Sequence, residues 1–122
     1  MAIRCLIVDD SPVFGRLAVE LLEGEEIDVV GLATCSEEAV RLAAELRPDL
    51  ALVDINLGEE SGFELASLLS GELVRAVILI SSRGGEEFAE LIAASPAAGF
   101  IAKSELGREA IETLLVRPPH PG

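Results

Sequence analysis

Five short apolar runs, each followed by an amphipathic stretch, predict an α/β fold in which a five-stranded parallel sheet carries helices on both faces. Three observations lead there. The runs RCLIV (4–8), LALVD (50–54) and AVILIS (76–81) are apolar at nearly every position, as strands covered on both faces must be. The stretches between runs repeat apolar residues at helical spacing. Helix punctuation recurs at their ends, with Ser-Pro at 11–12, then Gly24, Ser36 and Pro48.

In order, RCLIV is the first strand. Ser11 N-caps a helix that has Pro12 at its first position and runs to about Glu23, where Gly24 stops it. Val13, Phe14, Leu17, Leu21 and Leu22 fall largely on one side and are its expected core face. DVVGLA (28–33) is the second strand. Ser36 is expected to cap the next helix, Glu37 and Glu38 suit its positive end, and Pro48 ends it. LALVD is the third strand, GFELASLLS (62–70) a short helix, and AVILIS the fourth strand. EEFAELIAA (86–94) reads as a helix and GFIAK (99–103) as the fifth strand. SELGREAIETLLV (104–116) is the last helix, with Gly107 a weak point near its start. One domain over 1–117 and a flexible Pro-rich tail over 118–122 are expected. Five βα units suit the flavodoxin-like (βα)5 three-layer sandwich, strand order 2-1-3-4-5.

Composition narrows the function classes. At 122 residues the chain has length enough for one proper core. No apolar run approaches the ~20 residues of a membrane span. The N-terminus reaches Asp9 and Asp10 before a signal-peptide core could form, so a soluble, cytoplasmic protein is expected. Cys5 and Cys35, the two cysteines, read as small core thiols rather than a disulfide scaffold or zinc site. The one histidine, His120, lies in the tail. A net charge of −13 disfavours direct binding to nucleic acid or anionic lipid. It favours a bound cation or a protein partner with a basic patch.

In a sheet of this order, ligands sit beyond the carboxyl ends of the strands. Asp9 and Asp10 follow the first strand, Asp54 ends the third, Ser81 ends the fourth, and Lys103 ends the fifth. Three carboxylates in one cleft repel unless a cation joins them. Oxygen ligands without His or Cys suit a hard ion such as Mg²⁺. A divalent ion, an ammonium and a hydroxyl around a carboxylate make a site for stabilising a phosphoryl group there.

These residues resemble the receiver domains of bacterial two-component response regulators. The resemblance runs along essentially the whole chain: the acid pair in VDDSP, Asp54 in LVDINL, Gly62 eight residues later, Ser81-Ser82 after VILI, and GFIAK with Phe100 and Lys103. The DDSPVF and GFIAKS phrasing is closest to receivers that precede helix-turn-helix output domains. The resemblance implies that Asp54 is the phosphoacceptor. It implies a Mg²⁺ site in which Asp10 ligates directly, Asp9 mainly through water, Asp54 through its carboxylate and Asn56 through its backbone carbonyl. Lys103 and Ser81 then bind phosphoryl oxygens, and Phe100 is the aromatic switch whose rotamer follows Ser81. The implied donor is a sensor histidine kinase or a histidine phosphotransfer protein. The output is a contact with a downstream protein, and the face made by the fourth helix, fifth strand and fifth helix allows a homodimer. Asn56 and Arg83 flank the path of a hydrolytic water and are expected to set the phosphoryl lifetime. Arg83 either lies over the phosphoryl oxygens, or points into solvent or pairs with Glu86 or Glu87.

The chain departs from the family pattern at several points. Gly58 stands where proline is common, which predicts a more mobile loop. Ser104 stands where a cis proline is common, and Phe100 lacks the hydroxyl of the commoner tyrosine. Two other readings compete. A receiver cut from a longer DNA-binding regulator has the same site. A small Mg²⁺-dependent aspartyl phosphatase of the haloacid dehalogenase type needs an acid two residues after its nucleophile, and this chain has Asn56 there.

Overall fold

The computed structural model describes residues 2–24 and 26–115. Five strands form one sheet: β1 (Ile3–Val8), β2 (Ile27–Ala33), β3 (Leu50–Asp54), β4 (Ala76–Ser81) and β5 (Gly99–Ala102). The helices are α1 (Pro12–Leu22), α2 (Ser36–Leu46), α3 (Gly62–Leu69), α4 (Ala89–Ala94) and α5 (Arg108–Leu115). The order across the sheet is β2-β1-β3-β4-β5, and every pairing is parallel. This is the flavodoxin-like order expected from the βα alternation.

Period-two alternation splits each central strand between two cores. Leu6, Val8, Val53 and Leu79 meet Ala39, Ala43, Leu65 and Leu69 from α2 and α3. Cys5, Ile7, Leu52 and Ile80 meet Ala18 and Leu22 of α1 and Ile111 of α5. Three layers result, and each fully buried Leu or Ile at the centre contributes about 1.5–3 kcal/mol.

Local details differ from expectation where the helices begin. Cys35, not Ser36, takes the capping position of α2, and it makes no side-chain cap bond. Ser36 is the first helical residue, and its N–H donates instead to Glu60 Oε1 at 2.9 Å. The stretch 86–94 is not one helix: a 3₁₀ turn, Gly85–Phe88, precedes α4. Gly84 stands at the cap of that turn and offers no side chain to hold a regular first turn. Likewise Lys103–Glu105 is a 3₁₀ turn, and α5 starts only after Gly107. The expected core face of α1 is displaced. Gly15, Ala18 and Leu22 are buried, whereas Val13, Leu17 and Leu21 are 69%, 48% and 42% exposed. Small side chains let this helix sit close to the sheet, so the larger neighbours are turned outward.

The expected boundary at 117, the tail 118–122 and His120 lie outside the described residues. Among those described, no helix is long and apolar enough to cross a membrane.

Candidate functional site

Parallel pairing sets the site. Val8 is opposite Val53, so the next residues, Asp9 and Asp54, emerge side by side. Asp54 is opposite Ile80, and Ser81 is opposite Ala102, which carries Lys103 in behind them. Asp9, Asp54 and Ser81 are 3%, 6% and 1% exposed, while Asp10 is exposed. One carboxylate oxygen from each of Asp9, Asp10 and Asp54 lies within 4.8 Å of the other two.

Each buried carboxylate is fixed by a main-chain donor two residues on. Ser11 N–H donates to Asp9 Oδ1 at 2.8 Å, and Asn56 N–H donates to Asp54 Oδ1 at 3.0 Å. Ser11 Oγ in turn accepts from Phe14 N–H at 3.3 Å, capping α1. The second oxygens face Lys103. Its Nζ donates to Asp54 Oδ2 at 3.0 Å and lies 2.6 Å from Asp9 Oδ2. The contact with Asp9 is a close ion pair, so one ammonium serves both buried carboxylates. The ammonium also sits over the Phe14 ring, 4.4 Å from its centroid.

Burial raises the Asp54 carboxyl above its usual range, opposed by the Asn56 N–H and by Lys103, and aided by the charge of Asp9. Burial alone would lower Lys103, but Asp9 and Asp54 outweigh it and hold the ammonium above its ordinary value. Two buried carboxylates share one ammonium, so the cluster carries surplus negative charge. An all-oxygen donor set with surplus negative charge, three carboxylate oxygens within 4.8 Å of one another, fits a hard divalent cation such as Mg²⁺.

The loop after Asp54 is a short antiparallel ribbon, Asn56–Leu57 with Glu60–Ser61, rather than an irregular segment. Gly58 has φ +63°, which proline cannot adopt, so glycine here belongs to a different loop path from the proline form. Gly62 packs flat on the Asp54 main chain, where a Cβ would overlap the carbonyl.

The structure brings Asp9, Asp10, Asp54 and Lys103 together and places Ser81 on the adjoining strand end. Ser81 Oγ accepts from Arg83 N–H at 3.1 Å. Phe100 is half-buried and rests on Gly85, whose Cβ would stand 2.9 Å from its ring. Arg83 takes the second of its two expected positions: its guanidinium pairs with Glu87 at 3.1 Å, on the surface. Two contacts were missed. Phe14 reads as core from its spacing, but its ring also faces Lys103. Glu60, which no sequence pattern marks, tethers the loop after Asp54 to α2. The Phe14 contact had one signal, a helix start next to the acid pair.

Fold and site together define a phosphoacceptor module of the signalling type. The chain belongs to the response regulator receiver domain family, whose model it matches over residues 5–115. Among solved structures, it is similar to the receiver domain of the putative response regulator NarL from Mycobacterium tuberculosis, with a TM-score of 0.80, 28% identity and 95% and 98% of the two chains covered. It is also similar to the response regulator domain of Thermotoga maritima CheB, with a TM-score of 0.72, 28% identity and 94% and 90% covered. Among curated proteins, a protein-glutamate methylesterase/protein-glutamine glutaminase of Syntrophus aciditrophicus is 46% identical over 63 residues, which are 51% of this chain and 18% of that protein.

Proposed function

We propose that Asp54 accepts a phosphoryl group from a phosphohistidine on a sensor kinase or phosphotransfer protein, and that the chain is a switch rather than an enzyme acting on a free substrate. The carrying observation is the Lys103 ammonium held between Asp54 and Asp9 beside an exposed third acid, Asp10. In the transfer, a carboxylate oxygen of Asp54 bonds to phosphorus as the P–N bond breaks. The electron pair stays on the imidazole nitrogen, which then takes a proton. Mg²⁺ would be held by Asp10, Asp54, Asn56 through its carbonyl, and Asp9 through water, and it supplies positive charge opposite the phosphoryl oxygens. Lys103 supplies a second positive charge, already in place.

Ser81 turns to donate its O–H to a phosphoryl oxygen, and Phe100 follows into the space left beside β4. The output is a protein contact at the α4–β5–α5 face, where a homodimer also fits, with no direct nucleic-acid binding by this chain and no membrane contact; the setting is the cytoplasm. The donor docks beside the acid cluster, where α1 presents Val13, Leu17 and Leu21 to solvent. Arg83 lengthens the phosphoryl lifetime by leaving Glu87, an exposed pair worth at most about 1 kcal/mol, and covering the phosphoryl oxygens. Asn56 orients the hydrolytic water.

Mass spectrometry after incubation with acetyl phosphate and MgCl₂ tests the reading. One phosphoryl adduct is expected in wild type and none in Asp54→Ala. An adduct that survives in Asp54→Ala, or an unlabelled wild type, overturns it. Decay of the adduct after acetyl phosphate is removed should be faster in Arg83→Ala; an equal or slower decay removes Arg83 from the lifetime.

A further inference from the structure

We infer that Phe14 is a positioning residue for Lys103, its ring face holding the ammonium at the acid cluster while the carboxylates change partners; this rests on the phosphoacceptor reading above. Lys103 opens the 3₁₀ turn that follows the edge strand β5 and reaches past β4 to Asp54. Three groups meet its ammonium: Asp9 at 2.6 Å, Asp54 at 3.0 Å and the Phe14 ring centroid at 4.4 Å. An ammonium over a ring within about 6 Å is attracted by the negative face of the ring, more strongly as water is excluded. Here the lysine side chain is only 16% exposed.

The ring is itself well held. Phe14 lies in the first turn of α1, its N–H is bound to Ser11 Oγ, and it packs against the core formed by Ile7, Ala18 and Ile80. The two carboxylates are less constant partners. Once Asp54 carries a phosphoryl group and Asp9 turns toward a divalent cation, neither offers Lys103 the oxygen it holds at rest. A lysine released at that moment regains its rotamer freedom and leaves the phosphoryl oxygens uncompensated. The ring is neither phosphorylated nor drawn to the cation. Its attraction for the ammonium is the one contact of the three that survives the reaction unchanged.

The full chain, carrying Phe14→Leu, Phe14→Tyr or a series of fluorinated phenylalanines at position 14 alone, tests this. Leucine keeps apolar bulk without the ring, tyrosine keeps the ring, and fluorine withdraws its negative face with little change of shape. Two readings are taken. The Lys103 ε-methylene protons should show an upfield ring-current shift by NMR in wild type and Phe14→Tyr, and lose it in Phe14→Leu. The rate of labelling by acetyl phosphate and Mg²⁺ should fall roughly three- to tenfold in Phe14→Leu, stay within about twofold in Phe14→Tyr, and fall stepwise with each added fluorine. Wild-type labelling in Phe14→Leu, equal slowing in the leucine and tyrosine variants, or no trend with fluorine overturns the inference. If wild type does not label at all, the phosphoacceptor reading fails. The ring-current shift then decides alone, its presence in wild type and loss in Phe14→Leu supporting the seating and its absence in wild type overturning it.

Discussion

A methyl group added at Gly62 would overlap the main-chain carbonyl of Asp54, whereas one added at Gly107 would meet nothing within 4 Å. The two glycines stand in regions built to different tolerances. Around Asp54 the side chains of Asp9, Asp54 and Ser81 are buried, and Asp9 and Asp54 each have a fixed main-chain donor. Around β5 and α5 the packing loosens. Helix α4 has no buried residue, both last helices follow 3₁₀ turns, and a groove of about 810 Å³ opens among Gly85, Phe100, Ala102, Gly107 and Leu114. Chemistry needs reacting atoms held within a fraction of an ångström. A switch needs elements whose two arrangements differ by only a few kcal/mol, and loosely packed elements supply them.

The largest expected effect is at the tight end. Gly62→Ala should lower stability by about 4 kcal/mol or more, because main-chain atoms cannot step aside as a side-chain tip can. A urea midpoint equal to wild type would show that the chemical edge gives way as readily as the other region. Lys103→Ala comes next, at about 3 kcal/mol, since it leaves two buried carboxylates without their counter-charge. MgCl₂ should restore much of that loss, and melts with and without it check this. The pH signature has a definite sign. Lys103 is held above its ordinary 10.5, so its contribution is complete below that value and lost as pH rises through the raised one. Lys103→Ala should lack that alkaline decline.

At the loose end the effects shrink. Gly85→Ala puts a Cβ 2.9 Å from the Phe100 ring, but the groove lets the ring move, so the cost should be about 1 kcal/mol. The informative readout is the Phe100 ring signal in NMR, which should shift together with the acetyl-phosphate labelling rate. Movement of one without the other would separate Phe100 from the site. Gly107→Ala should stabilise by about 0.4–1 kcal/mol, because its backbone lies outside the left-handed region and its Cβ meets nothing. A loss of stability there would mean that α5 is packed more tightly than the groove suggests.

The same division governs what was legible in the residues. The strands could be read because a sheet covered on both faces must be apolar throughout, and the acids and Lys103 follow from strand ends once the order is known. Helix starts could not. Whether Ser36 caps or begins α2 depends on Glu60, which lies across the ribbon, and whether residues 85–88 form a 3₁₀ turn depends on packing that two glycines do not specify. The core face of α1 was misplaced because both sides of the helix are apolar, and only distance to the sheet selects the small residues. Phe14 over Lys103 joins residues 89 positions apart, on elements with no shared pattern.

Glu60 gives the ribbon one more property. Helix α2 has no side-chain cap of its own, and the carboxylate that receives its Ser36 amide comes from 24 residues further along the chain, beyond β3. The first turn of α2 is therefore completed by a segment that does not exist until the third strand is in place. Hydrogen exchange at that single amide becomes a clock for the loop beside Asp54: it is slow while the ribbon is closed and fast whenever the ribbon lifts.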